Sequence, residues 1–187
     1  MVRQLFVLLF LLTLGPYAFS QSIQNDPDHI KSVIFKPAEF NSYAPIVQLG
    51  GMLRLSFDDL HANETDYRYN IVHCELDWTP SVLSESEYID GYAEDRIRNY
   101  ENSFNTLQPY THYELTLPNR HTRLKVSGNY ILQVLNDDGD LVFTRKFIVY
   151  EPKTTVGVAI YRSRDINKIK TRQSVEFTIN HPNFRIN

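Results

Sequence analysis

Short runs in which apolar and polar residues alternate recur along most of this chain. "MLRLSF" puts Leu53, Leu55 and Phe57 on one side, and "HYELTLP" does the same with Tyr113, Leu115 and Leu117. "NYILQVL" groups Tyr130, Leu132 and Val134, and "LVFTRKFIVY" groups Phe143, Phe147 and Val149 with Arg145. "HIKSVIFKP", from His29 to Pro37, alternates Ile30, Ser32 and Ile34 against Lys31, Val33 and Phe35. A period of two over such lengths predicts half-buried β-strands. Asn136–Asp140, "NDDGD", lies between two of these runs, and Gly139 supplies the positive φ of a hairpin connection. No segment carries a long helical period. Two packed antiparallel sheets are the architecture this pattern predicts.

"YRYNIVHCELDW", Tyr67 to Trp78, concentrates reactive side chains in one such run. Read as a continuous strand, it sends Val72, Cys74, Leu76 and Trp78 to the core and Ile71, His73, Glu75 and Asp77 to the other face. On that reading Cys74 and His73 point apart and form no nucleophilic pair. His73, Glu75 and Asp77 would stand in a row about 6.6 Å apart per step. Strands can offer such a row to zinc, but only with further ligands from neighbouring strands. His29, His61, His112, His121 and His181 are scattered in the sequence, so the row is expected to be a solvated or hydrogen-bonded face with no metal. The His-x-Glu pair lacks the Pro-Cys-x-x-Cys segment of zinc deaminases. No Gly-x-Ser-x-Gly, His-Glu-x-x-His or phosphate-loop pattern is present, and no catalytic residue or cofactor is expected.

"SGNYILQV" places Gly128, Tyr130 and Leu132 at the spacing that immunoglobulin-like domains use for a corner tyrosine ahead of a core cysteine. The fold class expected is therefore all-β, an immunoglobulin-like antiparallel β-sandwich without its disulfide. Thr79 to Pro109 separates two strands and reads as a long inserted loop, with a helical turn expected around Glu94 to Tyr100. Long structureless loops are uncommon and usually functional. Its aromatics Tyr88, Tyr92 and Tyr100 are the candidate binding residues, and covering a sheet edge is the other reading of the segment.

Composition adds location. The first residues carry Arg3, an apolar run from Leu5 to Leu14, then Gly15-Pro16 and Ala18-Phe19-Ser20. This is the layout of a cleaved signal peptide over residues 1–20, and the run is about half the length that spans a bilayer. The net charge of −3 and the absence of a basic cluster exclude the usual footprint of nucleic-acid binding. Cys74 is the single cysteine, so no intrachain disulfide forms, and burial as a small hydrophobe is expected.

Taken in order, "YRYNIVHCELDWTPSVLSESEYIDGY", "SFNTLQPYTHYELTLP", "SGNYILQV" and "TRKFIVYEP" resemble the first domain of the plug protein of the bacterial type IX secretion system. The resemblance runs from about His29 to Pro152. It implies Bacteroidota, a periplasmic location, no enzymatic activity, and sealing of the outer-membrane translocon barrel as partner. No catalytic residues carry over. On this reading residues 21–152 form the β-sandwich, and 153–187, with strands at "TVGVAIYRS" and "SVEFTIN", open a truncated second domain. The alternative is a secreted carbohydrate-binding sandwich using exposed aromatics. A hydrolase has only the His73/Glu75/Asp77 row behind it. Intact-mass measurement of the exported protein is expected to show a mature start at Gln21, and retention of residues 1–20 would contradict it.

Overall fold

The computed structural model describes residues 26–39 and 42–182; the expected signal peptide lies outside them. Two sheets face each other. The first has the order β1–β3–β8–β7, from β1 (Ile30–Pro37), β3 (Leu53–Asp59), β7 (Asn99–Asn102) and β8 (Thr111–Leu117). The second has the order β2–β11–β10–β4–β6, from β2 (Ile46–Gln48), β4 (Arg68–Cys74), β6 (Glu94–Arg96), β10 (Gly128–Leu135) and β11 (Leu141–Tyr150). All pairs in both sheets are antiparallel except β2 with β11, which run parallel. The fold is all-β, as the alternation predicts.

The core is built from the predicted faces of four runs: Leu53, Leu55 and Phe57; Tyr113, Leu115 and Leu117; Tyr130, Leu132 and Val134; Phe143, Phe147 and Val149. Aromatic rings bridge the sheets. Phe35 meets Phe147 edge-on at 5.5 Å between centroids, and Phe57 meets Phe143 edge-on at 5.2 Å. Such pairs add about 0.5–1.5 kcal/mol beyond their burial. Tyr130 is wholly buried and donates its hydroxyl to the Val126 carbonyl at 2.7 Å, four residues upstream. That is the geometry of the corner tyrosine read from "SGNYILQV".

The pattern misleads at two strands. In β1 the alternation breaks at a bulge between Lys31 and Ile34, where Ser32 takes a φ of 54°. An added residue shifts the pleat, so Ile30 and Phe35, five apart, both reach the core while Ile34 stays 41% exposed. In β4 the face is the reverse of the one expected. Tyr69 and Ile71 are fully buried and His73 joins their side; Leu76 is 91% exposed. The strand stops at Cys74. Beyond it Glu75 N–H donates to Thr79 O at 2.8 Å and Trp78 N–H to Glu75 O at 3.0 Å, with Trp78 at φ 68°. Leu76 and Trp78 thus belong to a turn, and only tyrosines and Ile71 are left to define the inner face.

The expected long loop is also corrected. Residues 79–110 contain a helical turn, α1 (Glu85–Tyr88), then β5 (Ile89–Gly91), β6 and β7. The helical turn lies earlier than Glu94–Tyr100, where Ser84 N–H donates to the Glu87 carboxylate at 2.8 Å and opens α1. β6 closes the β4 edge of the second sheet, β7 closes the β8 edge of the first, and β5 pairs with β9 (Thr122–Leu124). The segment passes from one sheet to the other, covering an edge of each. β12 (Thr155–Arg162) and β13 (Gln173–Asn180) form a two-stranded sheet of their own.

Gly91 holds the β5 crossing in place. Its φ is 102°, and a Cβ there would lie 2.0 Å from the His121 carbonyl oxygen. Backbone cannot yield cheaply to that overlap, and the φ adds its own strain. Gly91→Ala is expected to destabilise by about 2–4 kcal/mol in urea unfolding; an unchanged midpoint would show that the crossing tolerates a side chain.

Candidate functional site

The residues of the expected His73/Glu75/Asp77 row do not share a face. His73 points inward, its ring edge-on to Tyr130 at 4.9 Å and tilted on Tyr88 at 5.6 Å. Its Nδ1 is hydrogen-bonded to Ser81 Oγ at 2.8 Å. Its Nε2 faces Gly128, where a Cβ would come within 2.3 Å. Among the described residues no carboxylate orients this imidazole, so the histidine–serine pair lacks the third member of a triad there, and glycine at 128 is the space the ring needs. Glu75 is exposed in the turn. Asp77 accepts the Thr79 N–H at 3.0 Å and the Thr79 hydroxyl at 2.6 Å, which hold its carboxyl below the usual carboxylate range.

Cys74 is buried, at 3% exposure, but on the outer face of the second sheet rather than in the core. Its Sγ lies 3.7 Å from Val72 O, and burial raises the thiol pKa. Nearby, Lys146 Nζ sits 4.7 Å over the Trp78 ring. Trp78 is half-buried there and does not cap the core.

Of the three candidate binding tyrosines, Tyr88 is 6% exposed and is a core residue, with its hydroxyl 3.4 Å from Ile71 O. Its position closing α1 turns the ring inward, so it offers nothing to a partner. Tyr92 is 65% exposed and Tyr100 is 43% exposed. Tyr92 follows β5, and its backbone is pinned from both sides: its N–H donates to His121 O at 2.8 Å and its carbonyl accepts the Thr122 hydroxyl at 2.7 Å. Thr122 in turn meets the Tyr69 hydroxyl at 2.7 Å, which ties the crossing to the core. Tyr100 lies on β7 with its ring tilted on Tyr113 at 5.6 Å and its hydroxyl on Glu64 at 3.1 Å. The two side chains are thus held on rigid elements, not on a free loop.

A groove of about 520 Å³ runs between β1 and β2 and is lined by Pro37, Ile46, Val47, Leu49, Met52 and Tyr150, among others. It is mainly apolar and holds no cluster of titratable groups.

The β12–β13 hairpin carries an exposed apolar face. Register pairs Val156 with Ile179, Val158 with Phe177 and Ile160 with Val175, which places these six side chains on one face. All are between 49% and 67% exposed. The opposite face holds Thr155, Gly157, Glu176 and Thr178. Nothing in the alternation of residues 153–187 could reveal that this face lies open, because alternation reports amphipathicity and not its cover.

One convergence was hidden from sequence reasoning. His29 and His61, counted as scattered, lie with their rings stacked at 4.1 Å beside the buried Asp59. Antiparallel pairing of β1 with β3 brings them together across 32 positions of chain.

The Cys74 geometry yields a direct test. In the folded protein the thiol is expected to resist Ellman's reagent and to react only on unfolding. Cys74→Ser is expected to cost about 1–3 kcal/mol, and Trp78→Ala about 1–2 kcal/mol, since only partial burial and a cation–π contact are lost. Rapid labelling of native protein would contradict the burial.

Among the described residues no helix is long and apolar enough to cross a membrane. No curated protein matches the chain. A crystal structure of a hypothetical protein from Parabacteroides merdae, at 2.30 Å resolution, is similar with a TM-score of 0.77 and 38% sequence identity. The match covers 87% of this chain and 42% of that one, so the chain spans less than half the length of that relative. The family model described as the type 9 secretion system plug protein 1st domain matches residues 30–151, from the start of β1 to one residue beyond the end of β11. The chain belongs to the family of the type 9 secretion system plug protein first domain.

Proposed function

We propose that this chain is a periplasmic, non-enzymatic module of the type IX secretion system that helps to seal the outer-membrane translocon barrel by protein–protein contact. The observation that carries this reading is the coincidence of the family match, residues 30–151, with the two-sheet unit. A body whose core is interlocked aromatic rings is stiff, and stiffness suits an element that must occlude a pore against deformation. Export by a signal peptide over residues 1–20 supplies the location. Residues 21–152 are the sandwich module, and 153–187 open a second β unit to which the apolar face of the hairpin belongs. Tyr92 and Tyr100, exposed on pinned elements, are the contact residues proposed for the barrel. Rigid amphipathic tyrosines bind at low entropic cost.

The carbohydrate-binding alternative gains no support from the geometry. Tyr88 is in the core, and among the described residues no ring contact joins Tyr92 to Tyr100. The test is capture of the translocon barrel from detergent-solubilised outer membranes by the immobilised protein. Tyr92→Ala with Tyr100→Ala is expected to lower capture at least about tenfold, in line with the loss of aromatic anchors, with thermal unfolding nearly unchanged. Failure of the folded wild-type protein to retain the barrel would sink the proposal.

A further inference from the structure

We propose that His29, His61 and Asp59 form a site for a divalent transition metal, with Zn²⁺ the ion best suited to it. The three side chains each bring one ligand atom, and these atoms lie within 4.8 Å of one another. His61 Nδ1 is 3.6 Å from Asp59 Oδ1. The imidazole rings are stacked at 4.1 Å between centroids with 16° between their planes. Bonds of about 2.0–2.2 Å to a tetrahedral ion put neighbouring ligand atoms about 3.3–3.6 Å apart. The His61–Asp59 spacing therefore needs a contraction of a few tenths of an ångström at most. An imidazole lone pair lies in its ring plane, so His29, whose ligand atom is within 4.8 Å of the others, would rotate out of the stack to join them.

The scaffold beneath the three is fixed. Ile30 pairs with Asp59 in the β1–β3 ladder, and Leu60 N–H donates to His29 O at 2.9 Å, so His29 and His61 flank one rung of backbone. Asp59 is wholly buried. Its Oδ2 accepts the Tyr67 hydroxyl at 3.0 Å, and its Oδ1 accepts the His61 N–H at 2.9 Å. Oδ1, the oxygen on the histidine side, keeps a lone pair for an ion. A carboxylate oriented by a buried phenol in this way is the arrangement that fixes a metal ligand from behind.

The chemistry of the set selects the ion. Two imidazoles with one carboxylate suit zinc and its neighbours, whereas Mg²⁺ and Ca²⁺ take oxygen ligands. Three protein ligands leave a further position for water, and His29 and His61 line a cavity of about 310 Å³ together with Thr65, Asn136, Asp137 and Asp140. The acids at this rim add negative potential at the mouth. A bound ion would staple the start of β1 to the end of β3.

The test is titration of the untagged, chelator-treated protein with Zn²⁺ by calorimetry, with histidine side-chain NMR in parallel. One Zn²⁺ per chain is expected, with perturbation of the His29 and His61 imidazole signals and none at His121. His61→Ala removes a largely exposed side chain; it and His29→Gln are each expected to weaken binding at least about 100-fold. His121→Ala is expected to titrate as the wild type, and Mg²⁺ and Ca²⁺ to bind at least about 100-fold more weakly than Zn²⁺. Thermal unfolding of the metal-free variants checks that they fold. If the wild type binds no Zn²⁺, or binds it without shifting the His29 and His61 signals, the proposal is overturned, whether or not either variant folds.

Discussion

Phe57 is the residue through which the two sheets hold each other. Its ring stacks on Tyr113 at 5.1 Å, meets Tyr67 edge-on at 5.2 Å and meets Phe143 edge-on at 5.2 Å. One side chain thus touches the neighbouring strand of its own sheet, the approach to β4 and the opposite sheet. A second aromatic group, Phe35, Phe147, Tyr130 and His73, repeats the arrangement farther along the sandwich. Rings of this size fill the gap between sheets with few degrees of freedom to freeze, which is how a chain without a disulfide closes its core. Tyrosine does most of this, and its hydroxyl must then find a partner. Val126 O, Thr65 O, Asp59 and Thr122 supply those partners.

That reliance on tyrosine explains which parts of the fold were legible in the sequence. Where leucine, valine and phenylalanine alternate, as in β3, β8, β10 and β11, the buried face could be read directly. In the run from Tyr67 to Trp78 tyrosines occupy one parity, with Ile71 and His73, while valine, cysteine, leucine and tryptophan occupy the other. Weighing the second set as the core reversed the strand, because the turn after Cys74 is set by hydrogen bonds that no periodicity announces. The bulge at Ser32 is hidden for the same reason. The segment from Thr79 to Pro109 lacks alternation long enough to register as strand, since β5, β6 and β7 are only three or four residues each.

The candidate sites divide in the same way. Motif reading finds residues that are close in sequence, so it could weigh, and set aside, His73, Glu75 and Asp77, which the turn disperses. The group that does converge comes from the two ends of an antiparallel pair and has no local signature. Of the tyrosines, exposure separates Tyr92 and Tyr100 from Tyr88, and exposure depends on how α1 and β5 lie against the sheets. Membership of the plug family was legible because it rests on the order of several motifs along the chain. Gly91, Gly128 and Tyr130 within those motifs are positions where backbone crowding or a buried hydroxyl dictates the residue.

The hairpin of β12 and β13 has a consequence for how the protein behaves outside its setting. Six aliphatic and aromatic side chains on one side of a two-stranded ribbon, each about half exposed, form an adhesive. Both of its long edges carry unpaired backbone groups, among the described residues. Stickiness of face and edge together favours stacking of ribbons between molecules, the geometry that seeds fibrils. A chain presented this way is colloidally fragile, and whatever covers the ribbon acts as its solubiliser.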